Sequence, residues 1–344
     1  MDNEQYRSPA EEEFILATVP SFRLPRPRGQ RKRRRLVAFS AGAALVWAMQ
    51  LFTAAAAGAA PLPSPDAKEC LPPIPSYDDS GKQEYHCYEA VNQDLQPPEV
   101  LAHGIGANLY EDIPRPVHNG YSIAQITLTN DSVSKGPLTR DIDALEFGWA
   151  ENPSFYGDWR PHLFLAVRQS VTGPFGTDVK VCVIMKDPAK DCPDLGGAWH
   201  PNPAAHFKLG DPVGPSGAPL YHVGYFEADH SWWVQYGGEW IGRITNDWWN
   251  DGFSSANHLN WQGEVAFYTD GNACVPMGNG DYGKDSTAAY IRGMFYEQKG
   301  HSGLTEAAAH RVATNATKYW TMGQEQRNGG GIKGFSYGGR GNCP

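Results

Sequence analysis

Two glutamates are the residues whose setting first suggests chemistry. In Leu145-Glu146-Phe147-Gly148-Trp149, a period of two sends Leu145, Phe147 and Trp149 to one face and leaves Glu146 beside the bare backbone of Gly148. In Trp261-Gln262-Gly263-Glu264-Val265-Ala266, the same rule groups Trp261, Gly263 and Val265, and Glu264 falls between Gln262 and Ala266 on the opposite face. A pair of carboxyl groups can hydrolyse an amide if one is ionised and activates water while the other protonates the leaving nitrogen. Like charges brought close enforce that asymmetry, because both cannot ionise readily and the pair titrates as a unit. Taken singly, each glutamate also fits the polar outer face of any one-sided sheet.

Other patterns carry less. Gly334-Phe335-Ser336-Tyr337-Gly338 has the spacing of a nucleophile elbow, but a following helix and a downstream acid and histidine do not fit in the six remaining residues. The histidines, among them His200, His206, His222, His230 and His258, are scattered and form no His-Glu-x-x-His run, so neither a metal nor another cofactor is expected. The Gly329 to Gly341 stretch lacks the Lys-Ser/Thr ending of a phosphate loop.

The elements that must position the glutamates read as strands. Glycine (38), tryptophan (11) and tyrosine (16) are abundant and charged residues make up only 19%, which favours short strands and many turns. Strand-length runs rich in branched and aromatic residues span Ser122 to Thr129, Ala144 to Trp149, His162 to Val167, Val179 to Met185, His222 to Phe226, Trp232 to Tyr236 and Gly263 to Tyr268. An all-β fold follows, an antiparallel β-sandwich with few short helices; Asp247 to Leu259 and Ser302 to Ala313 are the segments left for a helix or turn.

The order and spacing of Leu145-Glu146-Phe147-Gly148-Trp149, Pro153-Ser154-Phe155-Tyr156-Gly157-Asp158, Ser231-Trp232-Trp233-Val234, Ile241-Gly242, Trp261-Gln262-Gly263-Glu264-Val265 and Met277-Gly278-Asn279-Gly280 resemble the neprosin family. The likeness runs from about Leu101 to Pro344, with Gly104 to Asn130 similar to that domain's opening strands. The resemblance implies a secreted glutamic endopeptidase built as two curved antiparallel sheets, cutting after proline and working in acid, with Glu146 and Glu264 as its catalytic pair. Two positions depart from the family pattern. Gln262 replaces a glycine on the face of Glu264, where it can crowd or hydrogen-bond that carboxylate, and Arg243 replaces an aromatic after Ile241-Gly242. Trp149, Trp232, Trp233 and Trp261, with Gln262, are the expected cleft lining; tryptophans can stack on a proline ring, though they also serve as core.

The amino terminus reads as an address. Residues 1–35 form a basic region ending in Arg31-Lys32-Arg33-Arg34-Arg35, and residues 36–59 are uncharged and end in the small residues of Ala57-Gly58-Ala59, with Pro61 beyond. Cleavage near Ala59 and secretion are expected; an uncleaved anchor is the alternative. Residues 60–100 read as a Pro-rich linker or short pro-segment, and 101–344 as the catalytic domain. Six cysteines, all past the signal, fit three disulfides in an oxidising compartment. Of fifteen connectivities, the favoured one pairs Cys70 with Cys87, Cys182 with Cys192 and Cys274 with Cys343.

The chain's formal charge is -9, and its first 59 residues hold nine basic and five acidic side chains, so the remainder carries 20 basic against 33 acidic groups, a net -13. Phosphates would repel such a body, which removes nucleic acid as a partner. The expected partner is a protein or peptide substrate of a monomeric enzyme, with a membrane met only through the signal. A carbohydrate-active β-sandwich, or a binding module without activity, is the other class consistent with paired carboxylates and tryptophans.

Overall fold

A computed structural model describes residues 76–77, 83–95, 101–111, 117–130, 143–173, 176–195, 197–214, 217–268, 274–313, 326–328 and 331–341. The expected signal, its cleavage point, Cys70 and Cys343 lie outside the described residues. The strands, in chain order, are β1 (Ser76–Tyr77), β2 (Gln83–Asp94), β3 (Ala102–Leu109), β4 (Gly120–Asn130), β5 (Asp143–Glu151), β6 (His162–Gly173), β7 (Gly176–Ile184), β8 (Trp199–Pro201) and β9 (Leu220–Phe226). They continue as β10 (Ser231–Tyr236), β11 (Glu239–Thr245), β12 (His258–Tyr268), β13 (Ala289–Gln298), β14 (Leu304–Glu306), β15 (His310–Ala313), β16 (Gln326–Asn328) and β17 (Gly331–Tyr337).

Among the described residues they form two antiparallel sheets. The first runs β1-β2-β12-β4-β5-β6-β7, with β15 also on β2; the second runs β16-β17-β13-β3-β9-β10-β11-β8, with β14 on β13. The alternation seen in the sequence assigns the faces. Leu145, Phe147 and Trp149 of β5, Ala124, Ile126 and Leu128 of β4, and Leu259, Trp261 and Val265 of β12 join one buried core with Ile105, Tyr221, Val223, Trp232 and Val234 of the second sheet. Each fully buried aliphatic or aromatic side chain contributes about 1.5–3 kcal/mol, so this shared layer is the dominant stabilising term of the sandwich.

The expected strands from Ser122 to Tyr268 coincide with observed ones, Met185 alone falling one residue past the end of β7, and Ser336 of the elbow-like motif sits within β17 with no helix after it among the described residues. Two expectations are corrected. Within residues 60–100, read as a Pro-rich linker or short pro-segment, residues 83–94 are not linker but form β2, which pairs with β12 along eleven positions from His258↔Asp94 to Tyr268↔Glu84 and places Cys87 and Val91 in the core. The polar flanks of this segment hid a strand that its pairing partner stabilises. The segment Ser302 to Ala313, left for a helix or turn, supplies β14 and β15, edge additions too short to show a period.

Cys182 and Cys192 are joined, Cα to Cα 5.6 Å, tying β7 to the short helix α2 (Pro188–Asp191). Cys87 and Cys274 are disulfide-bonded as well, and the partners expected for them lie outside the described residues.

Candidate active site

The outer face of the first sheet gathers the alternate residues of five strands. Glu146, Gly148 and Ala150 come from β5; Thr127, Gln125 and Ile123 from β4; Asn260, Gln262 and Glu264 from β12; Asn92 and Ala90 from β2; Arg168, Ala166 and Phe164 from β6. The register makes a grid. Asn92, Asn260, Thr127, Glu146 and Ala166 form one row, Ala90, Gln262, Gln125, Gly148 and Phe164 the next, and Glu264, Ile123 and Ala150 the third. Glu146 and Glu264 therefore share a face, with β4 between their strands. Each is a diagonal neighbour of Gln125, on opposite sides of it, and the diagonal step is about 7–8 Å, so their Cα atoms stand about 15 Å apart.

Each carboxylate has a named side-chain partner, Arg168 for Glu146 and Gln262 for Glu264. Arg168 donates from Nη2 to Glu146 Oε1 at 2.7 Å, and its own side chain is about half exposed (48%) while that of Glu146 is mostly covered (12%). The guanidinium is held above its ordinary pKa first by the charge of Glu146, then, against the opposing effect of burial, by the charges of Glu264 and Tyr121. Arg168 thus lies in the field of both glutamates. Gln262 Nε2 donates to Glu264 Oε2 at 2.9 Å, and Asn260 Nδ2 donates in turn to Gln262 Oε1. The expectation that Gln262 would bond Glu264 is what the geometry shows.

Gly148 is required by packing. A Cβ there would stand 2.0 Å from the Ala124 carbonyl oxygen and 2.7 Å from Gln125 Cα, so any side chain would push β4 away between the two glutamates.

An apolar wall borders the pair. Ile123, Ala150, Phe164 and Ala166 are buried together on this outer face, with Tyr121, Tyr156, Val183 and Met185 packed against them. Ile123 is paired directly with Glu264, and Ala166 with Glu146. Tyr156 arrives on the one-turn helix α1 (Pro153–Tyr156), which Asn152 caps by accepting from the Phe155 N–H and which Gly157 ends in the left-handed region at φ 82°. Its ring stacks on His162 at 3.9 Å and 6°, and its hydroxyl donates to Met185 Sδ at 3.1 Å. Burial, followed by the charge of Asp191, pushes the phenol far above its ordinary pKa, so it stays a neutral donor. His162 is braced between the Gly210 carbonyl at 2.7 Å and Asp158 at 2.9 Å. Asp158, which also accepts from Arg160, is held well below the usual carboxylate range by the Arg160 and His162 hydrogen bonds outweighing its desolvation. The Tyr156-Gly157-Asp158 run therefore fastens one edge of the apolar wall.

The tryptophans stand elsewhere. Trp149, Trp232 and Trp261 are in the core between the sheets, with indole N–H groups on the carbonyls of Tyr110, Phe253 and Gly106. Inward alternation puts Trp149 and Trp261 on the face of the first sheet opposite the glutamates and Trp232 on the inner face of the second sheet, so all three pack in the core and do not line the groove. Trp233 is on the outer face of the second sheet, donating to Asp229 at 3.0 Å, with the Arg243 guanidinium 5.3 Å from its ring centre. Arg243, which also pairs with Asp229, accordingly alters that second face and not the surroundings of Glu146 and Glu264.

Arg168, Gln125, Asn260 and the apolar wall were not singled out in the sequence. The signal for Arg168 was there: it is the only charged side chain in Leu163-Phe164-Leu165-Ala166-Val167-Arg168. Gln125 is the polar break in Ile123-Ala124-Gln125-Ile126. Among the described residues, no group of three or more His, Cys, Asp or Glu is placed to hold a metal ion.

The sequence profile of the Neprosin family matches residues 220–340. That span holds the Ser231, Ile241, Trp261 and Met277 motifs and Glu264, while the Glu146 and Tyr156 motifs precede it. No curated protein matches. Among solved structures, the chain is similar to a glycoside hydrolase family 16 endo-glucanase from Bacteroides ovatus at 10% identity, covering 58% of this chain and 76% of that one with a TM-score of 0.30. It is also similar to the kappa-carrageenase of Pseudoalteromonas carrageenovora at 13% identity, covering 56% and 69%, TM-score 0.30. The endo-1,3-beta-glucanase of Thermotoga petrophila follows at 12%, covering 57% and 72%, TM-score 0.25. Likenesses this distant carry no argument about the chain. The profile match supports a peptidase or hydrolase.

Proposed function

From the Neprosin match over residues 220–340, we propose that this chain is an exported glutamic endopeptidase in which Glu146 and Glu264 hydrolyse a peptide bond laid across the outer face of the first sheet. The observation that carries the reading is the placing of two carboxylates on one face of the sheet, both within the field of the Arg168 guanidinium.

Glu146, whose charge Arg168 matches, takes a proton from water as the water oxygen attacks the carbonyl carbon. The C=O π pair moves onto oxygen. Glu264, fixed by Gln262, gives its proton to the amide nitrogen as the C–N bond breaks, and proton transfer through the next water resets the pair. The polar strip of Asn92, Asn260 and Thr127 faces the substrate backbone, and the apolar wall beside Ile123 and Phe164 receives an uncharged side chain of proline size. Export rests on the basic and uncharged amino-terminal stretches and on the paired cysteines.

The test is the substitution Glu264→Gln in the oxidised chain, incubated with an unstructured proline-rich protein. Loss of cutting with the thermal transition unchanged supports the reading. Release of reducing sugar from a polysaccharide, or unchanged proteolysis by the variant, refutes it.

A further inference from the structure

The mechanism above provides for two protons but for no group to receive the negative charge that develops on the carbonyl oxygen. The grid places one residue at the midpoint. Gln125 is paired directly with Gly148 on one side and with Gln262 on the other, and Glu146 and Glu264 are its two diagonal neighbours at opposite ends. A glutamine side chain reaches a diagonal neighbour's end from there.

Gln125 is only 2% exposed, and its Oε1 is buried with no hydrogen-bond partner. It is not alone: Asn92 Oδ1, Asn260 Oδ1 and Thr127 Oγ1, all on this face, are buried without partners too. An unmet buried polar atom costs about 1–3 kcal/mol, and such atoms are rare where nothing is bound for them to meet. Four together on one face, around two carboxylates, mark a surface whose hydrogen bonds are completed by something else.

Resting on the peptidase reading, we propose that Gln125 is a third catalytic residue: its Nε2 N–H groups hold the scissile carbonyl oxygen as it becomes an oxyanion, and its Oε1 accepts from the attacking water. The residue is suited to both roles, since an amide carries two donors and an acceptor on one rigid plane. No charge is added to a site that already holds two carboxylates, and the donor works in covered surroundings where a fixed dipole counts for more than in water. The electron pair that leaves the C=O bond rests on oxygen against Gln125 Nε2 and returns when the C–N bond breaks, so proton traffic stays with Glu146 and Glu264.

The test compares the full-length wild type with Gln125→Met and Gln125→Asn on a peptide that the wild type cuts. Methionine keeps the shape and removes every polar atom. Losing one oxyanion donor lowers kcat by about 10²–10³-fold; KM and the shape of the pH–rate profile should stay as in wild type. The melting temperature of the methionine variant should not fall, because an unmet acceptor has been removed. Asparagine retains the amide one methylene short, and its kcat should lie between the two. A methionine variant with wild-type kcat overturns the proposal, and so does one whose melting temperature falls in step with its activity, which would make Gln125 a packing residue. A wild type that cuts no peptide overturns the peptidase reading itself, a result distinct from either.

Discussion

At the scale of the residue, Glu146 is bonded by Arg168 and Glu264 by Gln262. Substituting Glu146 or Glu264 by glutamine removes a proton-transfer group, and each change should lower kcat by about 10²–10⁴-fold with the fold intact by circular dichroism. Arg168→Ala acts through Glu146: the carboxylate loses the partner at 2.7 Å that fixes its direction, and a small misplacement costs about a hundredfold in rate. The check is kcat on one peptide substrate for all three variants; an Arg168→Ala enzyme as active as wild type would remove Arg168 from the account. Of these residues the sequence displayed Glu146, Glu264 and Gln262, because alternation alone decides which face a strand residue takes. Arg168 and Gln125 stayed hidden because their importance comes from cross-strand register, which no local pattern encodes.

At the scale of the element, β4 is the spacer that sets the separation of the pair, and Gly148 lets it lie flat. Gly148→Ala puts a methyl 2.0 Å from the Ala124 carbonyl oxygen, so overpacking should cost about 1–3 kcal/mol and displace the β4–β5 ladder. The expected result is a lower denaturant midpoint together with a loss of activity larger than the loss of stability explains. Strands with strong alternation, such as β4, β5 and β12, were legible from the chain. The strand β2 was not, since a polar, charged segment becomes a strand only when β12 offers eleven partners. The tryptophans show the same limit from the other side: their type suggested a groove, whereas the inward half of the alternation already placed Trp149 and Trp261 in the core.

At the scale of the whole molecule, stability should depend on pH through groups away from the groove. Glu151, fully buried at the end of β5, has its carboxyl pushed up to about 8 by burial, a shift that the Val117 backbone N–H only moderates. Glu111, bonded by the hydroxyls of Tyr221 and Tyr236, is raised in the same direction by burial. A carboxyl raised in the folded state binds its proton more tightly there than in the unfolded chain. Its contribution is therefore complete below the unfolded value near 4.5 and is lost as pH rises toward about 8. Each pKa unit is worth about 1.4 kcal/mol, and each kcal/mol moves the melting temperature of a domain this large by about 2–4 °C. Melting temperatures should thus fall between pH 5 and pH 8, and Glu151→Gln, neutral at every pH, should flatten that decline; an identical decline in the variant would contradict the assignment.

The most direct test of the central claim is proteolysis itself. The purified chain, its cysteines oxidised, is incubated with an unstructured proline-rich protein from pH 3 to pH 8, beside Glu146→Gln and Glu264→Gln, and the new termini are read by mass spectrometry. The account predicts cuts by the wild type at acidic pH that both variants fail to make. An intact substrate at every pH, or cutting that survives either substitution, would contradict it.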